Sequence, residues 1–391
     1  MKKYKTTLLA CFIGYIVQSA VVTFAPLLFI QFQHEYGLTL TQLSVLVTLT
    51  FAIQICGDII VPRFIHLVGH KKGLVAANVF AATGFTLLSF LPDAMPDPFY
   101  GILISVLCYS LGASLIEVLV SPVAEACPTK NKEATMSILH SFFCWGSVLV
   151  TAGSTLFFVL FGVENWRILC LIWAVVPVFD GILYLNSHIA TLDGDEDGHR
   201  TGQLSLLRSK TVWLLLVIMI CAGAAEIAVS QWVSAFAEDG LKVSKTLGDL
   251  LGATLFAVLM GIGRLYYAKN SEKMPLENFM LGSLFLCTLG YVVIALSPWP
   301  VVTLIGCGMV GLGVTMVWPG TLSVGAKRVA HGGTALFALM ACAGDIGATA
   351  GPTLSGMLSD AFGGNLKIGI AVAIIFPVAA IAALLALRKQ K

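Results

Sequence analysis

The chain has 391 residues, 58% of them hydrophobic and only 11% charged, with a mean hydropathy of +0.91. Soluble domains carry about 25% charged residues, which excludes a water-soluble protein. The 23 Lys and Arg nearly balance the 21 Asp and Glu, so the net charge of +2 offers no footprint for nucleic acid.

A membrane helix needs roughly 20 apolar residues. Runs of that kind predict twelve spans, over 8–32, 42–62, 73–91, 99–126, 136–161, 166–187, 212–236, 247–268, 277–297, 301–324, 335–358 and 367–388. The first follows Met1-Lys2-Lys3-Tyr4-Lys5 and is too long for a signal-peptide core, so it reads as an uncleaved span. Span 2 carries Asp58 and leads to Arg63. With Arg264 at the end of span 8, these point to the charge pairs of a cytoplasmic gate. Span 4 holds Glu117, which shares one helix face with Ser121 and Glu125 at i, i+4 and i+8, and Pro122 bends that helix. Glu117 is a protonation site in the cavity or a protonated glutamate bonded to a neighbouring helix. Span 5 offers His140 and Trp145, as cavity lining or as structural residues. Span 6 carries Asp180 near the inner headgroup level.

Span 7 carries Glu226, with Gln231 and Trp232 just beyond it. A carboxylate acceptor beside an aromatic face suits a hydroxylated ligand, the other reading being an interhelical hydrogen bond. Asp249 opens span 8, where an anion suits the positive end of a helix. In span 10, Gly306-Cys307-Gly308-Met309-Val310-Gly311 matches GxGxxG. A dinucleotide site needs a preceding strand, so inside an apolar span the pattern means close helix packing. Asp345 lies near the middle of span 11, a second ion or substrate group.

An ionisable residue at the centre of a span costs about 2.5–3.5 kcal/mol and marks function by default. Asp58, Glu117, Asp180, Glu226 and Asp345 are the candidates, and no Lys or Arg is expected at their depth. The ten cysteines show no CxxC spacing and no zinc pattern, so no metal or cofactor is expected. There is no Walker A sequence and no loop long enough for a soluble catalytic domain, which argues against an enzyme.

With twelve spans both termini share a side. The loops there hold 19 of the 23 Lys and Arg, which places the termini in the cytoplasm of a cell membrane. The longest connection, 188–211, is a cytoplasmic linker between a six-helix half at 1–187 and another at 212–391. The halves repeat. Cys144-Trp145-Gly146 with Thr151-Ala152-Gly153 matches Cys342-Ala343-Gly344 with Thr349-Ala350-Gly351 at an offset of 198, and Leu111-Gly112 matches Leu312-Gly313 at 201. By this repeat Trp318 is the counterpart of Glu117 and joins the candidate substrate residues Glu226, Gln231, Trp232, Asp345, His140 and Trp145. Two parallel six-span repeats build transporters whose substrate site lies near the midplane.

The whole chain resembles the major facilitator superfamily. Several stretches are similar to its fucose–galactose–glucose:proton symporter family. Leu111-Gly112-Ala113-Ser114-Leu115-Ile116-Glu117 with Ser121-Pro122 resembles that family's glycine-rich segment, where a glutamate stands four residues before Asn-Pro. Ala224-Ala225-Glu226 followed by Trp232 resembles its Gly-x-Glu pattern. Ile262-Gly263-Arg264 and Leu139-His140-Ser141-Phe142-Phe143 resemble the segments ending span 8 and opening span 5. The chain departs from the family in span 1, which has no carboxylate around Pro26, and at His66-Leu67-Val68-Gly69-His70, where the superfamily carries Asp-Arg-x-Gly-Arg.

The resemblance implies an all-α membrane protein with twelve transmembrane helices in two pseudo-symmetric halves. It also implies symport of a sugar-like solute with a proton (or sodium), coupled at Glu117. The alternative is a proton-driven exporter or exchanger of a metabolite or drug. An organic-anion exchanger is expected to hold a Lys or Arg deep in its cavity. The expected partners are a small solute, the ion and the lipid bilayer, with the protein a monomer.

Overall fold

The computed structural model describes residues 2–190, 192, 202–233, 242, 250–363 and 366–390. Much of the expected linker, and the start of span 8 with Asp249, lie outside them. Among the described residues there is no strand. The helices are α1 Lys5–Leu27, α2 Phe29–Tyr36, α3 Leu40–Val68, α4 His70–Leu88, α5 Leu91–Ala94, α6 Pro98–Ala126, α7 Lys132–Phe161, α8 Trp166–Leu185, α9 Gln203–Leu206 and α10 Lys210–Ser230. They continue as α11 Leu255–Asn270, α12 Leu276–Leu296, α13 Pro300–Val314, α14 Val317–Arg328, α15 Gly333–Ala361, α16 Leu366–Val372 and α17 Ile375–Lys389.

Ten helices among the described residues are long and apolar enough to cross a membrane. The other two expected spans correspond to α4, which opens on His70, Lys71 and Lys72, and to α11, the described part of span 8. The helices therefore follow the expected twelve-span, all-α pattern. The GxGxxG stretch lies within α13, where Gly306 packs against Gly290 and Ile294 of α12.

Spans 1, 10 and 12 are interrupted within the described residues. Span 1 breaks at Leu28, two residues after Pro26, whose ring removes a backbone donor. Span 10 breaks at Thr315 and Met316, and span 12 at Ala373 and Ile374. α10 ends at Ser230, and the Trp232 amide turns back to the Val229 carbonyl at 3.1 Å, so Gln231 and Trp232 form a tightened turn.

Helix ends follow local chemistry. Thr39 and Gln42 form a reciprocal capping box at the start of α3. Asp97 caps α6, accepting the Phe99 amide at 2.9 Å, with Pro98 in the first turn where no donor is needed. Gly37, at φ 67°, ends α2 in the left-handed conformation that glycine adopts without strain.

The chain divides into two compact units: Met1–Thr129 with Phe142–Gly198, and Lys130–Ser141 with His199–Lys391. In the first, α8 buries Trp166, Cys170, Trp173, Pro177, Asp180 and Tyr184 along one face. Its other face exposes Leu171, Val175, Phe179 and Ile182, an apolar surface that suits lipid and not water. α6 crosses α4 at small residues: a Cβ on Gly112 would lie 2.5 Å from the Ala77 carbonyl oxygen. In the second unit α10 and α15 meet the same way, with Gly223 against Gly344 and Gly347 against Ile220.

Candidate functional site

Each unit holds a polar cluster built around a candidate carboxylate. In the first unit, Gln54 Nε2 of α3 donates to Glu117 Oε2 at 2.9 Å, and the Gln18 side chain of α1 also hydrogen-bonds Glu117. Three helices therefore converge on one carboxylate. One turn along α6, Ser121 Oγ hydrogen-bonds Tyr15 Oη at 2.7 Å. Ser19 Oγ meets Ser147 Oγ at 2.9 Å. Among the described residues no Lys or Arg pairs with Glu117, and the carboxamide oxygens of Gln18 and Gln54 are buried without a hydrogen-bond partner. An ionised carboxylate only accepts, while a protonated one also donates. The cluster therefore offers acceptors to a protonated carboxyl at this position.

In the second unit Glu226 of α10 faces Arg264 of α11 at 3.9 Å. This corrects the expectation that no cation reaches the depth of the carboxylates. Arg264 follows Ile262 and Gly263 near the end of an apolar run, so in one dimension it reads as a terminal residue. In three dimensions it turns inward and is 3% exposed. Arg264 Nε donates to the Thr315 carbonyl at 3.0 Å, at the break in span 10, and one terminal nitrogen donates to the His140 carbonyl at 2.7 Å. The guanidinium thus satisfies a carbonyl where α13 ends. Ser137 Oγ completes the arrangement by donating to the Arg264 carbonyl at 2.7 Å.

The other expected site residues are divided between the two units. Asp345 is buried in α15, next to Gly344, and the Trp318 ring of α14 packs where Gly344 has no side chain. Trp232 Nε1 donates to the Pro352 carbonyl at 3.3 Å, and its ring lies over Gly356. Gln231 is exposed in the turn after α10. His140 is buried and enters the cluster through its carbonyl. Trp145 is half-buried in the part of α7 that belongs to the first unit. Of the three expected gate residues, Asp58 is fully buried in α3, Arg63 is exposed, and Arg264 is engaged with Glu226.

Sequence reasoning missed Gln18 and Gln54. A glutamine inside an apolar run was the available signal, but only the helix rotation shows that both face Glu117. It placed Asp180 near the inner headgroup level, and at that position along α8 the side chain is fully buried among the helices.

A protein-family model described as Major Facilitator Superfamily matches residues 7–352. No curated protein matches the chain. Among solved structures, the E. coli fucose:proton symporter FucP superposes with a TM-score of 0.83 at 14% identity, covering 98% of this chain and 99% of that one. The proton:xylose symporter XylE gives 0.81 at 12% identity, covering 98% and 95%. The human organic anion transporter MFSD10 gives 0.74 at 12%, covering 97% and 99%. At such identities the likeness is one of fold.

Proposed function

This chain belongs to the Major Facilitator Superfamily, and from that premise we propose that it is a proton-coupled symporter of a small, sugar-like solute, working by alternating access. The six-helix halves 1–187 and 212–391, joined by 188–211, are its moving parts, and both termini face the cytoplasm. Glu117 carries the coupled proton. Glu226, Gln231, Trp232, Asp345 and Trp318, with His140 and Trp145, receive the solute, and Asp58, Arg63 and Arg264 serve the cytoplasmic gate.

The observation that carries the reading is Glu117, held by two neutral carboxamides and by no cation among the described residues. A carboxylate paired with Lys or Arg is held ionised. One held by amides can exchange a proton as its surroundings change. The fold likeness to FucP and XylE supports sugars as the first solutes to try.

The experiment has two stages. A thermal-shift screen of purified protein against L-fucose, D-xylose, other sugars, polyols, sugar acids, amino acids and organic cations identifies the solute class. Wild type and Glu117→Gln are then compared in liposomes with that solute. Glutamine imitates the protonated acid, so counterflow exchange survives in the variant while accumulation driven by a pH gradient is lost. Retained uphill accumulation in Glu117→Gln removes the coupling role.

Arg264 favours a second reading. A buried guanidinium beside Glu226 supplies the cation that an exchanger of carboxylated metabolites needs. Stabilisation by sugar acids and not by neutral sugars in the same screen selects it.

A further inference from the structure

Asp180 takes no part in that transport scheme, yet its carboxylate is held inside the first unit. It is fully buried in α8, facing α1 and α4. Asn78 Nδ2 of α4 donates to its Oδ2 at 3.0 Å. The remaining oxygens, Asp180 Oδ1 and Asn78 Oδ1, have no hydrogen-bond partner among the described residues, and Asn78 is 1% exposed. No Lys or Arg among the described residues pairs with Asp180. One turn along α8, the buried Tyr184 hydroxyl also has no hydrogen-bond partner among the described residues. Its lone pairs add a third oxygen to the group.

Gly14 of α1 stands opposite. A Cβ there would lie 3.5 Å from Asp180 Oδ2, 3.5 Å from Tyr184 Oη and 3.4 Å from Val120 Cγ2. The missing side chain therefore leaves an atom-sized space walled by two oxygens and a methyl group. Near the starts of α1 and α4, two side chains bond the segment that follows α8. Thr7 Oγ1 donates to the His188 carbonyl at 2.7 Å, and Lys71 Nζ to the Ser187 carbonyl at 3.0 Å.

We propose that this is a sodium site, with Na+ beside Gly14 held by Asp180, Asn78 Oδ1 and Tyr184 Oη. The donor set is all hard oxygen, which suits alkali and alkaline-earth cations and not softer metals. A single carboxylate neutralises one positive charge, whereas a divalent ion leaves an uncompensated charge in hydrocarbon. A proton on Asp180 serves one acceptor and leaves the space beside Gly14 unfilled. The ion ties α1, α4 and α8 together one turn from the Glu117 cluster, since Gly14 precedes Gln18 on α1 and Val120 follows Glu117 on α6, but it shares no ligand with that cluster.

The test uses the full-length protein in detergent, melted while choline chloride is replaced by NaCl or KCl at constant ionic strength. Na+ raises Tm saturably and K+ does not, because a ligand that binds only the folded state stabilises it by mass action. Gly14→Ala places a methyl group at ordinary contact distance, so it folds and loses the Na+ response. Asp180→Asn loses it too, and Tyr184→Phe needs about tenfold more Na+ for half the effect. Glu117→Gln keeps the wild-type response. If Asp180→Asn does not fold, Gly14→Ala and Tyr184→Phe decide. The proposal is overturned by a wild-type melt indifferent to Na+, by a response that survives Gly14→Ala, or by one that disappears in Glu117→Gln. A melt that follows pH and ignores Na+ overturns it as well, and assigns Asp180 a proton instead.

Discussion

Glu226 keeps 14% of its side chain exposed although a guanidinium stands 3.9 Å away. That separation is at the outer limit of an ion pair, and Arg264 already donates to the Thr315 and His140 carbonyls. Glu226 therefore retains lone pairs for a ligand, which sets it apart from a carboxylate consumed by a bidentate pair. Trp232 is the aromatic surface nearest in sequence, seated over Gly356. An aromatic contact contributes about 0.5–1.5 kcal/mol, so Trp232→Ala should weaken binding of the identified solute by up to about tenfold with a smaller effect on Tm. Trp232→Phe keeps a ring but loses the hydrogen bond to Pro352. Binding restored by Phe assigns the effect to the ring, while binding unaffected by Ala excludes Trp232 from the site. Isothermal titration of both variants checks this.

Between elements, two kinds of contact hold the first unit: small-residue crossings within the membrane and a charged cluster at the end where α2 and α8 meet. Arg167, at the start of α8, bonds Asp93 at 2.8 Å, pairs with Glu35 of α2, and lies 4.5 Å over the Trp166 ring. The hydrogen bond from Arg167 holds the Asp93 carboxyl below its usual range against the opposing effect of burial. At Glu35 burial pushes upward, but hydrogen bonds from Arg167, Gln31 and Trp166 outweigh it and the carboxyl is again lowered. A carboxyl lowered by folding stabilises the native state above its unfolded value, near pH 4, and that contribution fades as pH falls through the folded value. The groups are partly exposed, so the tie contributes only a few tenths to about 1 kcal/mol. Arg167→Met should therefore lower Tm by a constant amount above about pH 5, and the gap to wild type should close below about pH 4. A gap independent of pH down to pH 3 rules out the ionic tie.

For the whole molecule, the distribution of Lys and Arg makes the strongest statement. Setting the buried Arg264 aside, 18 of the other 22 fall in the connections assigned to one side, so both termini and the 188–211 connection are expected in the cytoplasm. Single cysteines placed near Lys5, in 188–211 and near Arg388 should react with an impermeant maleimide only in inside-out vesicles. One at Lys242 should react from outside in intact cells. The opposite pattern inverts the topology.

The membrane class, the near-complete set of spans and the six-plus-six repeat were legible in the residue string, because hydropathy and span length are local properties of consecutive residues. Glu117 was legible for the same reason, as a charge standing alone in an apolar run. The surroundings of each charge were not. Gln18 and Gln54 lie 99 and 63 positions from Glu117, Arg264 reaches Glu226 from another helix, and Asp180 is bonded by Asn78 of another helix. Each depends on how far a helix is rotated about its axis and which neighbour it meets. In this chain glycine contacts such as Gly112 with Ala77 and Gly347 with Ile220 bring the backbones close enough to decide it. That information is shared between distant segments, so it exists only once the helices have packed.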